Sequence, residues 1–166
     1  MVDVSRTHTF DAPIEKVWAM FRDPASHVAK FAAMGHREIE VLDEETTDDS
    51  FRIELKRLVD LELPGFAKKF LKPTNTVTSV DTWKDHGDGT YGGTFVLEAP
   101  GTPMETNGTT LIRADGKKKT HYEVTISVRV KVPLVGGKIE NYAKGAVIEP
   151  QLETEFRLGD EWLKSH

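Results

Sequence analysis

THTFDAPIEKVWAMFRDP, residues 7–24, changes its period halfway. Up to Phe10 the residues alternate, as a half-buried strand requires. Asp11 then stands where a helix cap belongs, and Pro13 fits a first helical turn, where a missing N–H costs nothing. Ile14, Val17, Trp18 and Phe21 follow at spacings of three and four, forming one apolar stripe. Asp23-Pro24 repeats the signal, so the spacing predicts a second short helix running to about Met34, with Gly35 ending it. Trp18 and Phe21 are expected in the core, because large aromatics at helical spacing bury the most apolar surface.

Beyond Gly35 the chain reads as strands. His36–Glu44 is predicted as the next one, with Ile39 and Val41 on one face, and the acidic stretch 43–50 as its turn. From Phe51 the alternation is nearly unbroken: Phe51, Ile53, Leu55, Val59 and Leu61 share a face opposite Arg52, Glu54, Lys56, Asp60 and Glu62. Arg57 occupies the apolar phase. LPGFAKKFLKP, between Pro64 and Pro73, reads as a loop or short helical turn. Strands are predicted over 74–84, 91–98, 104–113 and 122–132, separated by Gly87-Asp88-Gly89, Pro100-Gly101 and Asp115-Gly116. Consecutive hairpins imply an antiparallel meander with one buried face.

Past Pro133 the periodicity is helical to the end of the chain. The stripe changes face: Ile139, Tyr142, Ala143 and Ala146 lie on one side, and Ile148, Leu152, Phe156 and Leu163 on another, roughly 140° away at ~100° per residue. A kink, bulge or local break is expected near Pro150, which removes a backbone donor.

Composition bounds the rest. The chain has 166 residues, enough for one core, and carries 30% charged residues with a formal net charge of −5. Acidity argues against a nucleic-acid partner. The absence of cysteine excludes disulfides, thiol nucleophiles and Cys-ligated zinc. No secretory leader and no apolar run approaching ~20 residues is found, so a cytoplasmic location is expected. The six histidines form no HxxxH or HxH pair, and no GxSxG, P-loop or dinucleotide fingerprint occurs. No cofactor, metal or catalytic set is therefore assigned. His121 and Glu123 share a strand face, but it is the wet one.

Three stretches carry a resemblance: FDAPIEKVWAMFRDP (10–24), TWKDHGDGTYGGTFVLEAPGTPMETNG (82–108) and VPLVGGKIENYAKGAV (132–147). In these the chain resembles the START-like (SRPBCC) superfamily, nearest an uncharacterised actinobacterial, polyketide-cyclase-like branch. The likeness spans essentially residues 1–166 and implies one α+β domain of helix-grip type. In that fold a curved antiparallel sheet of six to seven strands wraps a long C-terminal helix, and two short helices follow the first strand. It also implies an apolar cavity between sheet and helix, suited to a lipid or polyketide-like molecule.

Residues expected to line that cavity are Ile139, Tyr142, Ala143 and Ala146 from the helix, with Arg57, Tyr91, Phe95, Tyr122 and Val124 from the sheet. Ala143, Gly145 and Ala146 leave space that larger side chains would fill. Arg57 has two readings: it meets an anionic ligand, or it pairs with an inward acid or reaches water at the strand end. His8, in the phase of Phe10, reads as a hydrogen-bonded core residue. The loop bearing Phe66, Lys68, Lys69, Phe70 and Leu71 is either a staple for a long connection or a lid, with peripheral membrane contact as a further use. Binding of a hydrophobic small molecule as carrier or sensor leads. A cyclase or aromatase using Arg57, Tyr91 or Tyr122, and an adaptor for protein partners, are the alternatives.

Overall fold

The period change around Asp11 and the repeated hairpins become, in a computed structural model describing all residues Met1–His166, one sheet gripped by helices. The elements are β1 (Val2–Phe10), α1 (Ile14–Phe21), α2 (Pro24–Ala33), β2 (Arg37–Thr46), β3 (Ser50–Asp60), β4 (Thr74–Asp85), β5 (Thr90–Glu98), β6 (Met104–Asp115), β7 (Lys119–Val130), α3 (Gly136–Ala143), a π-helical turn (Lys144–Ile148) and α4 (Glu149–Ser165). All pairings are antiparallel, in the order β1-β7-β6-β5-β4-β3-β2. Every hairpin neighbours its successor. Only β1 is brought in from afar, pairing with β7 from Val2↔Val128 to Phe10↔Thr120.

The strict alternation of β3 and β7 gives the sheet one apolar face, which the helices cover. Phe51, Ile53 and Leu55 on β3 and Tyr122, Val124 and Val128 on β7 are buried in one cluster with Val17, Trp18, Ile139, Leu152 and Phe156. Burying side chains of this size stabilises by ~1.5–3 kcal/mol each, against the entropy of ordering them. The two short helices close one end of the concave side. Trp18 stacks on Tyr91 at 4.5 Å between centroids, and Phe21 stacks on Trp83 at 4.5 Å.

Three local expectations are corrected. Asp11 does not cap α1, because the cap position falls on Pro13 and no side chain bonds the free amides. Asp23 does cap α2, accepting from the Ala25 amide at 2.9 Å. In β2, register shifts between Arg37 and Glu40 and between Val41 and Asp43 upset the phase, leaving Val41 exposed while Ile39 is half-buried. The seventh strand stops at Val130, short of Val132.

The C-terminal helix resolves its two-face stripe without a break. Buried positions run Ile139, Ala143, Ile148, Leu152, Phe156 and Leu163, stepping by five across the π turn, by four before it and to Phe156 after it, and by seven, two turns, to Leu163. The wider turn absorbs one residue, so two stripes that would diverge on an ideal helix join into one. Pro150 sits just beyond, in the first turn of α4. Gly159 permits close approach at the far end, since a β-carbon there would sit 2.8 Å from the Phe10 ring.

Candidate functional site

Between the concave sheet, α2 and the first half of the C-terminal helix lies a cavity of about 220 Å³. That is far more than the ~10–15 Å³ one water needs by the same kind of measure. Its two ends differ chemically. The end toward α3 is walled by Leu63, Ala67 and Leu71 from the β3–β4 connection, Ala99 and Met104 from β5–β6, and Ile139. The end toward α2 carries charge.

Arg57 anchors that polar end. It is only 3% exposed. Its Nε donates to His36 Nδ1 at 3.1 Å, its Nη1 donates to Ser79 Oγ at 2.8 Å, and Phe31 presents its ring face 3.8 Å from the guanidinium carbon. Burial lowers its pKa, while Asp81 and Glu155 supply countercharge from beyond ion-pair distance. The guanidinium stays charged, because its ordinary value lies so high. His36 must then be neutral to accept: burial first, and Arg57 second, push it down to about 4. Neither water access at a strand end nor a direct carboxylate partner satisfies this arginine.

Around it stand groups without protein partners. Burial, reinforced by Glu155, pushes the Asp81 carboxyl up to about 6 against the pull of Lys30 and Arg57, and nothing in the fold hydrogen-bonds it. Burial, with Glu155 and Asp81, holds the Tyr122 phenol well above its ordinary range. Thr110 Oγ1 is buried with no hydrogen-bond partner at all. A buried polar group left unpaired costs ~1–3 kcal/mol, as at Thr110, while the half-buried Asp81 carboxyl and the Tyr122 phenol, unbonded within the protein, line the cavity as waiting contacts.

The sequence-predicted residues divide accordingly. Arg57, Phe95, Tyr122, Val124, Ile139, Tyr142 and Ala143 all line this cavity. Phe95 fits because Gly108 lies across the pairing, where a β-carbon would fall 2.3 Å from the ring. Tyr91 does not line it: its ring is taken by the stack on Trp18. Ala146 does not either, being exposed, because the π turn rotates it outward and brings Val147, Ile148 and Gln151 to the lining instead. His8 is also elsewhere, bonded to Asp160 at 3.0 Å and stacked on Phe156 at 4.8 Å. Phe66 packs edge-on against Tyr142, while Ala67 and Leu71 reach the cavity and Lys68, Lys69 and Phe70 stay exposed.

Ser79, Asp81, Thr110, His36 and Glu155 went unread in the sequence. One signal was present for two of them: Val77, Ser79, Asp81 and Trp83 share a phase, and a tryptophan at its end marks that phase as inward. His36 and Glu155 come from a loop and a helix, which no strand period addresses.

No curated protein matches the chain. Among solved structures it is similar to the Zhui aromatase/cyclase from Streptomyces sp. R1128, with a TM-score of 0.64 at 16% identity over 98% of this chain and 93% of that one. It is also similar to human STARD10, with a TM-score of 0.62 at 13% identity over 99% of this chain and 66% of that one. A START superfamily protein from Mycobacterium smegmatis gives a TM-score of 0.56 at 14% identity over 98% and 97%. These likenesses establish a START-like helix-grip fold. Residues 5–163 match the sequence family described as protein of unknown function DUF2505, and the chain belongs to that family.

Proposed function

We propose that this protein binds a hydrophobic small molecule bearing oxygen groups at one end, and serves as its carrier or sensor. The observation that carries this reading is the set of polar groups without protein partners, Thr110 Oγ1, the Tyr122 phenol and the Asp81 carboxyl, lining one otherwise apolar cavity together with Arg57. Apolar pockets with a few convergent polar groups are what small-molecule sites look like. The apolar end holds a hydrocarbon or ring system, and the polar end orients it.

The test is organic extraction of the purified protein with mass spectrometry, followed by a lipid and metabolite screen read by chemical-shift change. A hit should shift resonances of Thr110, Val124 and Ala143. Thr110→Val and Tyr122→Phe should each weaken it by roughly 5- to 100-fold, as expected for losing a buried hydrogen bond. No extracted compound and no hit across fatty acids, sterols and polycyclic phenols would overturn the reading.

A second reading is an enzyme of the cyclase or aromatase kind. What favours it is a carboxyl tuned to about 6 beside a phenol and a guanidinium, since an acid poised near neutrality suits proton transfer. Asp81 would take a proton from carbon next to a carbonyl, while Arg57 and Tyr122 hold the developing oxyanion. Turnover of a bound phenolic precursor that vanishes in Asp81→Asn, with binding intact, would select this reading over the carrier.

A further inference from the structure

Three segments meet around the open end of the cavity. The connection 61–73 lies on α3, where Tyr142 donates to the Glu62 carbonyl at 3.4 Å and Lys138 stands 4.2 Å over the Phe66 ring. The β5–β6 turn joins them: a β-carbon on Gly101 would lie 3.9 Å from Lys72 Nζ, and the Lys131 amide donates to the Pro103 carbonyl at 2.8 Å. Leu63, Ala67, Leu71, Thr102 and Tyr142 of these segments line the cavity itself. The rim is therefore one surface with an apolar interior behind it.

Its outward side is unusual in two independent ways. Leu134 is 104% exposed and holds a left-handed backbone, φ 70°, a conformation costly for a branched side chain. Such strain persists only where the surroundings impose it, and here it projects a leucine into solvent at the entry to α3. Phe70, at 39% exposure, is the apolar tip of the neighbouring segment. The charge is also reversed. The three segments, 61–73, 98–105 and 131–144, carry six lysines and four carboxylates in a chain of net charge −5, with Lys131 paired to Glu105. One of those carboxylates, Glu140, is buried and accepts from the Val130 amide.

We propose that this rim docks on a bilayer surface rich in anionic lipid. Leu134 and Phe70 enter the headgroup boundary, and Lys68, Lys69, Lys72, Lys138 and Lys144 face the lipid phosphates and carboxylates. Charge complementarity together with the apolar tips selects this occupant: the rim pairs its lysines with exposed Phe70 and Leu134, whereas the other lysine cluster, Lys117–Lys119 in the β6–β7 turn, has no exposed large hydrophobe beside it. No helix is long and apolar enough to cross a membrane, so the contact is peripheral. The docking would give the cavity its route of exchange, and in that sense it rests on the proposed binding function. Vesicle binding is measured without any cavity ligand, so the two readings fail separately.

The test is co-sedimentation of the full chain with vesicles of phosphatidylcholine alone and of phosphatidylcholine containing about one third phosphatidylserine. Binding should be at least about tenfold stronger to the anionic vesicles and should be lost in about 1 M salt, where charges are screened within ~3 Å. Lys68→Gln and Lys69→Gln should each weaken it by about fivefold, the equivalent of ~1 kcal/mol per lysine at such a surface. Leu134→Gly removes the apolar tip while relieving the left-handed backbone. It should therefore weaken vesicle binding without lowering the melting temperature. Equal affinity for both vesicle types, or binding unchanged in Leu134→Gly and in the lysine variants, overturns the proposal. So does a Leu134-dependent dimer in light scattering with no vesicle binding, which would make the rim a contact between copies.

Discussion

The closed and open ends of the cavity solve opposite problems. At the closed end, charge is buried: Arg57, Asp81 and Glu155 sit with two neutralised histidines behind α2. At the open end, hydrophobes are exposed while the walls beneath them are alkyl and aromatic. Each departs from what stability alone selects, since buried polar groups and exposed apolar tips both cost free energy. A protein optimised only to fold would have reversed them. The difference teaches that the closed end is tuned through protonation and the open end through contact, so the two respond to different perturbations.

Acid should produce the largest effect, chiefly through the closed end, although Glu140 on α3, lowered by its bonds to the N-terminus and the Val130 amide, also loses stabilisation on protonation. His27, wholly buried with its ring nitrogen on the Phe21 carbonyl, is pushed down to about 3, first by burial and then by Lys30. His36 is at about 4. Unfolded histidine binds a proton near 6.5, so between there and about 3 the unfolded state holds more protons and stability falls with pH. For His27 alone the loss approaches ~4–5 kcal/mol at 1.36 kcal/mol per unit. Urea midpoints measured from neutral pH down to pH 3 check this, and a flat profile would break the contrast between the ends.

Next in size is truncation at the open end. Leu71→Ala removes a buried side chain from the wall and should cost about 2–3 kcal/mol, at the low end for such changes because it enlarges a space already present. Its loss should be independent of pH, unlike any change at the closed end, and denaturant titrations at two pH values compare them.

Asp81→Asn works in the other direction. Asp81 is raised from 3.8 to about 6, so its folded form binds more protons and its ionisation costs stability as pH rises through that window. The variant should be more stable than wild type by up to about 3 kcal/mol near pH 8, and no more stable near pH 4. It should also steepen the acid loss, because Asp81 partly offsets the histidines. Thermal melts across pH decide it. A destabilising Asp81→Asn would mean the carboxylate is paired after all.

The smallest effects belong to Ala146, outside both ends, and to the Tyr142 hydroxyl at the rim. Ala146→Trp lies on the solvent side of the π turn and should change stability by no more than ~0.5 kcal/mol and leave ligand binding intact. Tyr142→Phe loses one long, exposed hydrogen bond and should cost about as little. Occlusion of a ligand by Ala146→Trp would show that the π turn relaxes to an ordinary helix in solution.

Much of the architecture was legible because it rests on local periods. The Asp-Ala-Pro break, the alternation of Phe51–Leu61 and Tyr122–Val132 and the glycine turns mark a meander with one apolar face. They also mark Arg57 as an inward cation. The stripe change near Pro150 announced an irregular helix. Tertiary structure decided how that irregularity is built: the π turn restores a continuous stripe at the price of rotating Ala146 outward and Val147 inward. It also decided that Tyr91 is spent on Trp18, because α1 folds over that end of the sheet.

Above all, tertiary structure assembled the polar end. Arg57 comes from β3, Ser79 and Asp81 from β4, Thr110 from β6, Tyr122 from β7 and Glu155 from α4, with His36 from the turn after α2. A period reports which face of one element is dry. It says nothing of which residues on separate elements meet, and the shifted pKa values of Arg57, His36, Asp81 and Tyr122 follow from that meeting and from the depth of burial it creates.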